Sequence, residues 1–329
     1  MLGICLNYVR ANICKLVLMA AALACTISSA RAADCSALRM TNSIVMNPIE
    51  DGAPLRIPVN VNGLSKSMVF DFNGDLNVIS SDTNRTLKLK QLSTDIGPSY
   101  VIVPQVALGN AQGANVRFLV QNWTRRSVAQ EGYRNEDIDL ISRGMFRGDD
   151  IDLDFGARRL NFFSSDHCEG RVVYWPHQVL AVVPITVEGR NTLNPSGQVL
   201  FPVTLDGHRM IAMFNTSASY TMMDLAKAQY EFSFRPDPPV PLGLGTPNVD
   251  YPNRFSSLSF DGVTIQNPLI HLRPYNPGYT RGPNMIIGMD ILRHLHIYAA
   301  LDERKLYITE AGTRESALFP SQAPQTSNK

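Results

Sequence analysis

Two residues with side chains of similar shape and different chemistry stand at matching points of this sequence, Asp71 and Asn215. Each follows a short apolar run that ends in phenylalanine, Phe70 in one case and Phe214 in the other. A carboxyl group such as that of Asp71 can take or give a proton as a general base or acid. The amide of Asn215 keeps the hydrogen-bonding capacity but cannot exchange a proton near neutral pH. A site built on this pair would therefore hold one proton-transferring group.

Other chemistries have weaker support. His294 and His296 flank Leu295 at the spacing of a β-strand, but the sequence places no carboxylate or cysteine ligand beside them, so we predict no metal site and no cofactor. Ser217 lacks the Gly-x-Ser-x-Gly surroundings of a nucleophile elbow. The simpler alternative for Asp71 is an ordinary turn residue that hydrogen-bonds only its own backbone.

The two matching points belong to an internal repeat, because Asn215 follows Asp71 by 144 residues and other residues keep the same offset. The further pairs are Pro58 and Pro202, Val59 and Val203, Gly63 and Gly207, Phe70 and Phe214, Gly144 and Gly288, and Met145 and Met289. Landmarks far apart in each half thus share one register, which indicates a duplicated domain.

The elements that must position Asp71 and Asn215 are predicted to be β-strands. Apolar and polar residues alternate before the turns at Asn62-Gly63 and Asp206-Gly207, which are typical of β-hairpins. Short helices are predicted after Gly144 and Gly288 and over 223–230, where Asp224 is suited to the helix start. The predicted strands cover 57–61, 100–108, 115–121, 151–155, 160–163, 199–205, 256–260, 268–272, 295–301 and 305–309.

On these residues the sequence resembles the tandem-lobe aspartic peptidases, retropepsin-like or pepsin-like, over residues of about 50–310. Each lobe of that family has an apolar-Asp-Thr-Gly turn after a hairpin and a later apolar-apolar-Gly strand beside it. Residues 212–221 resemble the first motif, and Ile286, Ile287 and Gly288 resemble the second. The resemblance implies an all-β, bilobal aspartic-peptidase-like fold, with two similar β-barrel-like lobes and an interlobe cleft.

The resemblance also implies that Asp71 and Asn215 occupy the two positions of a catalytic dyad, in which two carboxylates share one proton. The first turn retains the aspartate, but Phe72 and Asn73 stand where the family has threonine and glycine, before Gly74. In the family, the threonine hydroxyl hydrogen-bonds across to the opposite lobe. We therefore expect the first turn to be altered as well.

The second turn departs from the pattern in a complementary way. It keeps Thr216 and Ala218, but Asn215 replaces the aspartate and Ser217 replaces the glycine. Because an amide cannot take part in the exchange of acid and base roles, the resemblance implies that peptidase activity is largely lost. Gly144 and Gly288 are expected beside these turns.

These observations predict a pseudo-peptidase that binds an extended polypeptide in the interlobe cleft without cutting it. One alternative is an active aspartic endopeptidase that uses Asp71 with a non-standard second site, either alone or in a symmetric homodimer. Another is a non-catalytic envelope scaffold. The sequence does not predict the oligomeric state.

The N-terminal residues 1–32 are predicted to be an export signal. Arg10 and Lys15 precede an uncharged apolar run, and Ala30 and Ala32 fit a cleavage site. The mature protein would then be periplasmic or secreted. The alternative is a lipoprotein anchored through Cys25, although the residue three before it is Ala22 rather than leucine.

Removal of this signal leaves only Cys35 and Cys168, which in an exported protein favours a disulfide over two unconnected thiols. The remaining boundaries are an N-terminal lobe over 33–170, a connection over 171–197, a C-terminal lobe over 198–311 and a disordered tail over 312–329. A net charge of +1 with 18% charged residues predicts no nucleic-acid partner. After residue 32, no apolar stretch is long enough to predict a transmembrane segment.

Overall fold

The computed structural model describes residues 35–74, 76–94, 97–121, 139–146, 148–177, 180–188, 197–237, 249–274 and 283–312. Two compact units are distinguished, Met1–Ala37 and Leu38–Lys329, and all of the described sheets belong to the second. The signal predicted over 1–32, including Cys25, lies outside the described residues. So does the predicted tail, except for Gly312.

Strands make up most of the described chain, which confirms the predicted all-β class. They are β1 (Met40–Val45), β2 (Arg56–Val61), β3 (Leu64–Asp71), β4 (Val78–Ser80), β5 (Leu92–Thr94), β6 (Gly97–Leu108), β7 (Ala111–Gln121), β8 (Leu140–Ser142), β9 (Asp149–Asp154), β10 (Arg159–Ser164), β11 (Ala181–Pro184), β12 (Thr186–Glu188), β13 (Gln198–Leu205), β14 (His208–Phe214), β15 (Met222–Asp224), β16 (Tyr251–Arg254), β17 (Ser257–Phe260), β18 (Val263–Gln266), β19 (Leu269–Arg273), β20 (Met285–Ile287), β21 (Leu295–Ala300) and β22 (Lys305–Glu310).

Three short helices and one 3-10 turn accompany the strands in the part of the chain that the structure describes. The helices are α1 (Ser81–Leu87), α2 (Leu225–Phe232) and α3 (Met289–Leu292), and the 3-10 turn is Arg143–Met145. Asp224 is the N-cap of α2, since its carboxylate accepts a hydrogen bond from the backbone N of Ala226 at 3.4 Å. The predicted helix at 223–230 is therefore confirmed, with its start two residues later.

The described strands form three sheets. The first sheet has the order β2-β3-β8-β4-β7-β6-β5, and the second has the order β16-β19-β15-β20-β14-β13-β17-β18, with β12 paired to β13. The third, which we call the shared sheet, has the order β1-β10-β9-β21-β22-β11. The shared sheet joins the two halves, because β9 of the first half pairs antiparallel with β21 of the second.

The hairpins that lead to Asp71 and Asn215 have the predicted turns. Asn62 and Gly63 have positive φ angles of 50° and 87°, and Asp206 and Gly207 have φ angles of 44° and 85°. Asparagine, aspartate and glycine tolerate this left-handed region, and two such residues in succession give the turn that matches the twist of paired strands. The turns therefore bring β3 back along β2, and β14 back along β13.

One face of the shared sheet is apolar, and the other, which we call the polar face, combines buried acids with aromatic side chains. Ile151 and Leu153 of β9 are buried in the main hydrophobic core, whereas Asp150 and Asp152, which alternate with them, point to the opposite face and are also buried. The predicted connection over 171–197 supplies an edge strand of this sheet, β11. The lobe boundaries stay a prediction, since strands from both halves build this sheet.

Candidate functional site

Asp71 is the last residue of β3, and the loop that follows it holds its carboxylate in place. The backbone N of Asn73 donates a 3.0 Å hydrogen bond to Asp71 Oδ1. A Cβ atom at Gly74 would lie 2.4 Å from Asp71 Oδ2, so any side chain there would displace the carboxylate. This contact gives Gly74 a specific reason to be glycine.

Asn215 directly follows β14, and its side chain is held in the same way in the second half. The backbone N of Ser217 donates to Asn215 Oδ1 at 2.8 Å, which matches the bond from Asn73 to Asp71. The Ser217 hydroxyl donates to the same oxygen at 2.5 Å. Because both donors approach Oδ1, the orientation of the amide is fixed.

Thr216 ties the two loops together. Its hydroxyl accepts a 3.0 Å hydrogen bond from the backbone N of Phe72 and donates a 2.6 Å bond to the carbonyl oxygen of Phe70. These two residues flank Asp71 in the chain, and Thr216 is fully buried. The structure therefore brings the two predicted turns together through the threonine that the second turn retains.

Asn73 makes the corresponding connection in the other direction. Its amide Nδ2 donates a 2.5 Å hydrogen bond to the carbonyl oxygen of Phe214, and its Oδ1 accepts a 2.8 Å bond from the backbone N of Val199. Phe214 lies 144 residues after Phe70, so this bond is the repeat equivalent of the one made by Thr216. The Asn73 side chain thus makes the hydrogen bond between the loops that the motif would assign to a threonine at position 72.

Arg143 is a buried residue at this site that sequence reasoning missed. Its Nε donates to the carbonyl oxygen of Phe72 at 2.7 Å, and its Nη2 donates to the carbonyl oxygen of Gly197 at 2.6 Å. The guanidinium also lies over the Phe72 ring, 5.7 Å from its centre. One feature of the sequence could have indicated this role: Arg143 is charged, whereas its repeat equivalent, Ile287, is apolar.

Gly288 packs directly against the second loop. A Cβ atom there would lie 2.4 Å from the carbonyl carbon of Tyr220, and its backbone N donates to Thr221 Oγ1 at 3.1 Å. Gly144, its repeat equivalent, lies in the 3-10 turn that follows β8. Ala218 is also buried here, and its carbonyl oxygen accepts a bond from the backbone N of Met289.

An acidic residue lies behind the second loop. Asp290 accepts a 2.8 Å hydrogen bond from Thr221 Oγ1 and a 3.0 Å bond from the backbone N of Ile291. Burial raises the pKa of Asp290, and these hydrogen bonds offset only part of that effect. We assign Asp290 a structural role because it orients Thr221, which in turn binds the backbone of Gly288.

Asp71 and Asn215 themselves are only half-buried, whereas the residues that position them are buried. The pair therefore consists of an acceptor carboxylate and a fixed amide in two loops joined by reciprocal hydrogen bonds. It lacks the second carboxyl group that acid and base exchange requires.

Two other predicted features are placed elsewhere. Cys35 and Cys168 are both disulfide-bonded, in agreement with the predicted bridge.

His294 and His296 do not belong to a metal cluster, and within the described ranges no three His, Cys, Asp or Glu side chains could hold a metal ion. None of the described helices has the length and apolar character needed to cross a membrane.

Comparisons with known proteins give little further information. No family model and no curated protein matches this chain. Among solved structures, it is similar to basic 7S globulin from soybean, with 12% identity, coverage of 86% of this chain and 99% of that chain, and a TM-score of 0.46. At this identity and TM-score, the similarity indicates no function for this chain.

Proposed function

We propose that the protein is a non-catalytic relative of the aspartic peptidases that binds an extended polypeptide beside Asp71 and Asn215 without cutting it. The observation that carries this proposal is the reciprocal pair of hydrogen bonds, Thr216 to Phe70 and Asn73 to Phe214. They keep the two loops joined although one of the two expected carboxyl groups is an amide.

The polar groups of the pair suit a peptide backbone. The two Ser217 donors occupy Asn215 Oδ1, which leaves the amide nitrogen as the donor group for a ligand carbonyl. Asp71 supplies an acceptor for a ligand N–H group. A peptide unit carries one acceptor and one donor, so the pair can bind it without any proton transfer.

The proposed setting is outside the cytosol, in the periplasm or secreted. The predicted signal over 1–32 motivates this part of the proposal, and the disulfide-bonded Cys35 and Cys168 support it because disulfides persist in oxidising compartments. The expected ligand is an unfolded or extended polypeptide that lies along the loops as an added strand.

A binding and cleavage assay tests this function. Purified full-length protein is mixed with a reduced, carboxymethylated and fluorescently labelled polypeptide at pH 3 to 7, and both anisotropy and fragment formation are followed. We expect binding without cleavage. Asp71→Asn should weaken binding about tenfold, since a charge-assisted hydrogen bond to the ligand is worth about 1.5 kcal/mol or more.

The matched control is Asp261→Asn, because Asp261 is exposed in the turn between β17 and β18. This variant should bind like the wild type. Cleavage by the wild type that Asp71→Asn abolishes would instead establish an active endopeptidase. Equal binding by the wild type and Asp71→Asn would remove the proposed binding site.

A further inference from the structure

Residues 167–177, which we call the covering segment, lie over the polar face of the shared sheet. Val172 of this segment is fully buried in a small apolar cluster with Phe163, Tyr298 and Tyr307. Trp175 donates from its indole nitrogen to Thr309 Oγ1 at 2.8 Å. The covering segment contains no helix or strand beyond a single β-bridge residue, His167, so side-chain contacts of this kind, together with the disulfide at Cys168, hold it in place.

The polar face beneath the segment carries buried acids. Asp150 and Asp152 of β9 are 1% and 0% exposed. The hydroxyl of Tyr174 donates to Asp152 Oδ2 at 2.7 Å, and His167 Nε2 lies 2.5 Å from Asp150 Oδ2. A buried carboxylate requires hydrogen-bond donors or a positive charge, and the covering segment supplies both.

His167 faces oxygen atoms at both of its ring nitrogens. Nε2 faces the Asp150 carboxylate at 2.5 Å, while Nδ1 faces the carbonyl oxygen of Cys168 at 3.3 Å and Glu303 Oε1 at 3.6 Å. A neutral imidazole has one donor and one acceptor nitrogen, whereas the imidazolium has two donors. Only the protonated ring can therefore donate to both sides of this buried position.

We propose that the covering segment is a pH-sensitive latch, which is docked on the shared sheet by the imidazolium form of His167 and released when that ring loses its proton. Release would expose Val172 and Trp175 and the polar face beneath them. The latch lies on the opposite face of the shared sheet from the main core, and it does not depend on the function proposed for Asp71 and Asn215.

The ionisable groups around His167 come from several elements. Asp150 lies on β9, Tyr298 on β21 and Glu303 in the turn before β22, where Lys305 Nζ is 3.9 Å from Glu303 Oε2 and Tyr307 donates to the same atom at 2.6 Å. The two carboxyl groups are the nearest of these to the ring nitrogens. Their charge favours the protonated form of His167.

The pKa shifts agree in sign with this geometry. Burial alone would lower the pKa of His167, but the hydrogen bonds and charges of its acceptors raise it above the ordinary value. A raised pKa in the docked state means that the docking free energy is fully present below about pH 6.5 and is lost as the pH rises through the pKa of the docked ring. Burial also raises the pKa of Asp150, so this acid does not release the segment when the pH falls.

Hydrogen exchange of the full chain, with its disulfide intact, tests the latch between pH 5.5 and pH 9. After correction for intrinsic exchange rates, protection of peptides that cover 168–177 should fall as the pH rises, by up to about tenfold per pH unit for one proton. His167→Gln should make this dependence flat. His177→Gln is the matched control, because His177 is exposed in the same segment, and it should behave like the wild type.

A second measurement covers the case in which His167→Gln does not fold. An NMR titration of the wild-type histidine rings should give His167 a pKa above about 6.5. A pKa at or below that value would overturn the latch. Protection that stays flat in the wild type, or that falls equally in His167→Gln, would also overturn it. Neither result bears on polypeptide binding at Asp71, which the anisotropy assay measures separately.

Discussion

The amide nitrogen of Asn73 donates a 2.5 Å hydrogen bond to the carbonyl oxygen of Phe214, the residue directly before Asn215. This bond and its repeat equivalent, from Thr216 to Phe70, cross between the loops in opposite directions. The loop around Asp71 therefore keeps a symmetric connection, although Phe72 stands where the aspartic peptidases that the sequence resembles have threonine. Phe72 and Asn73 both depart from the peptidase motif. Together they replace the hydrogen bond of the missing threonine with one from the Asn73 side chain.

Asn73→Ala should destabilise the protein. The change leaves the carbonyl of Phe214 and the backbone N of Val199 without their partner in a buried position, which is expected to cost about 2 to 4 kcal/mol of unfolding free energy. Urea denaturation measures this loss. As a control, Asn47→Ala removes only a surface hydrogen bond to Ser67 and should change stability by less than about 1 kcal/mol. Equal effects of the two changes would contradict the proposed importance of Asn73.

The hydroxyl of Thr216 gives a second test, and valine provides a side chain of nearly the same volume. Thr216→Val removes the bonds to the backbone N of Phe72 and the carbonyl of Phe70, at an expected cost of about 2 to 4 kcal/mol. Thr216→Ser keeps the hydroxyl and should cost only about 1 kcal/mol for the lost methyl group. If thermal or urea unfolding ranks valine above serine in stability, the cross-loop bonds contribute little.

The parts of the fold that the sequence predicted are those with a local cause. Asn62 and Gly63 form a hairpin turn because of their own backbone preferences, and the constant offset of the repeat then places Asp71 and Asn215 in equivalent loops. The role of Asn73 was not predictable in this way. It depends on how far its side chain reaches across to Phe214, which no spacing along the chain specifies.

The shared sheet and Arg143 were missed for a related reason. β9 and β21 read as strands in the sequence, but their pairing, with Leu153 opposite Ile297, joins residues from different halves. Arg143 donates to the carbonyls of Phe72 and Gly197, which become neighbours only after both halves have packed. Contacts of this kind are set by the tertiary structure.

The pH dependence of stability should include a contribution from Asp250 at acidic pH. Burial alone would raise the pKa of Asp250, but the hydrogen bonds and positive charge of His271 and Arg273 lower it to about 2. A lowered pKa means that the stabilisation is present above about pH 4 and is lost as the pH falls towards 2. Because this carboxylate is partly exposed, the screened contribution is about 1 kcal/mol.

Asp250→Asn should therefore lower the unfolding free energy at pH 6 and lose this effect near pH 2. Urea denaturation at pH 2, 3, 4 and 6 measures the difference from the wild type. Asp302→Asn, in the exposed turn between β21 and β22, is the control and should show no such trend. A difference that grows as the pH falls would have the wrong sign and would contradict the assignment.

Asn215→Asp should convert the proposed binding site into one that cleaves polypeptide at acidic pH. The new carboxylate would accept the same two hydrogen bonds from Ser217 and would stand beside Asp71 in loops that are already joined, so the pair could share one proton. We expect fragment formation at least about 100-fold above the wild type between pH 3 and 6, with inhibition by pepstatin. Gel electrophoresis of an unfolded substrate measures it.

Asn73 must stay in place in this experiment. Replacing it with glycine to imitate the peptidase motif would remove the bonds to Phe214 and Val199, so a combination of Asn215→Asp with Asn73→Gly should be less stable and less active than Asn215→Asp alone. The inactive control combines Asn215→Asp with Asp71→Asn. If Asn215→Asp binds polypeptide as tightly as the wild type and still forms no fragments, the two side chains do not form a working pair, and the missing carboxylate is not the sole reason for the inactivity that we propose.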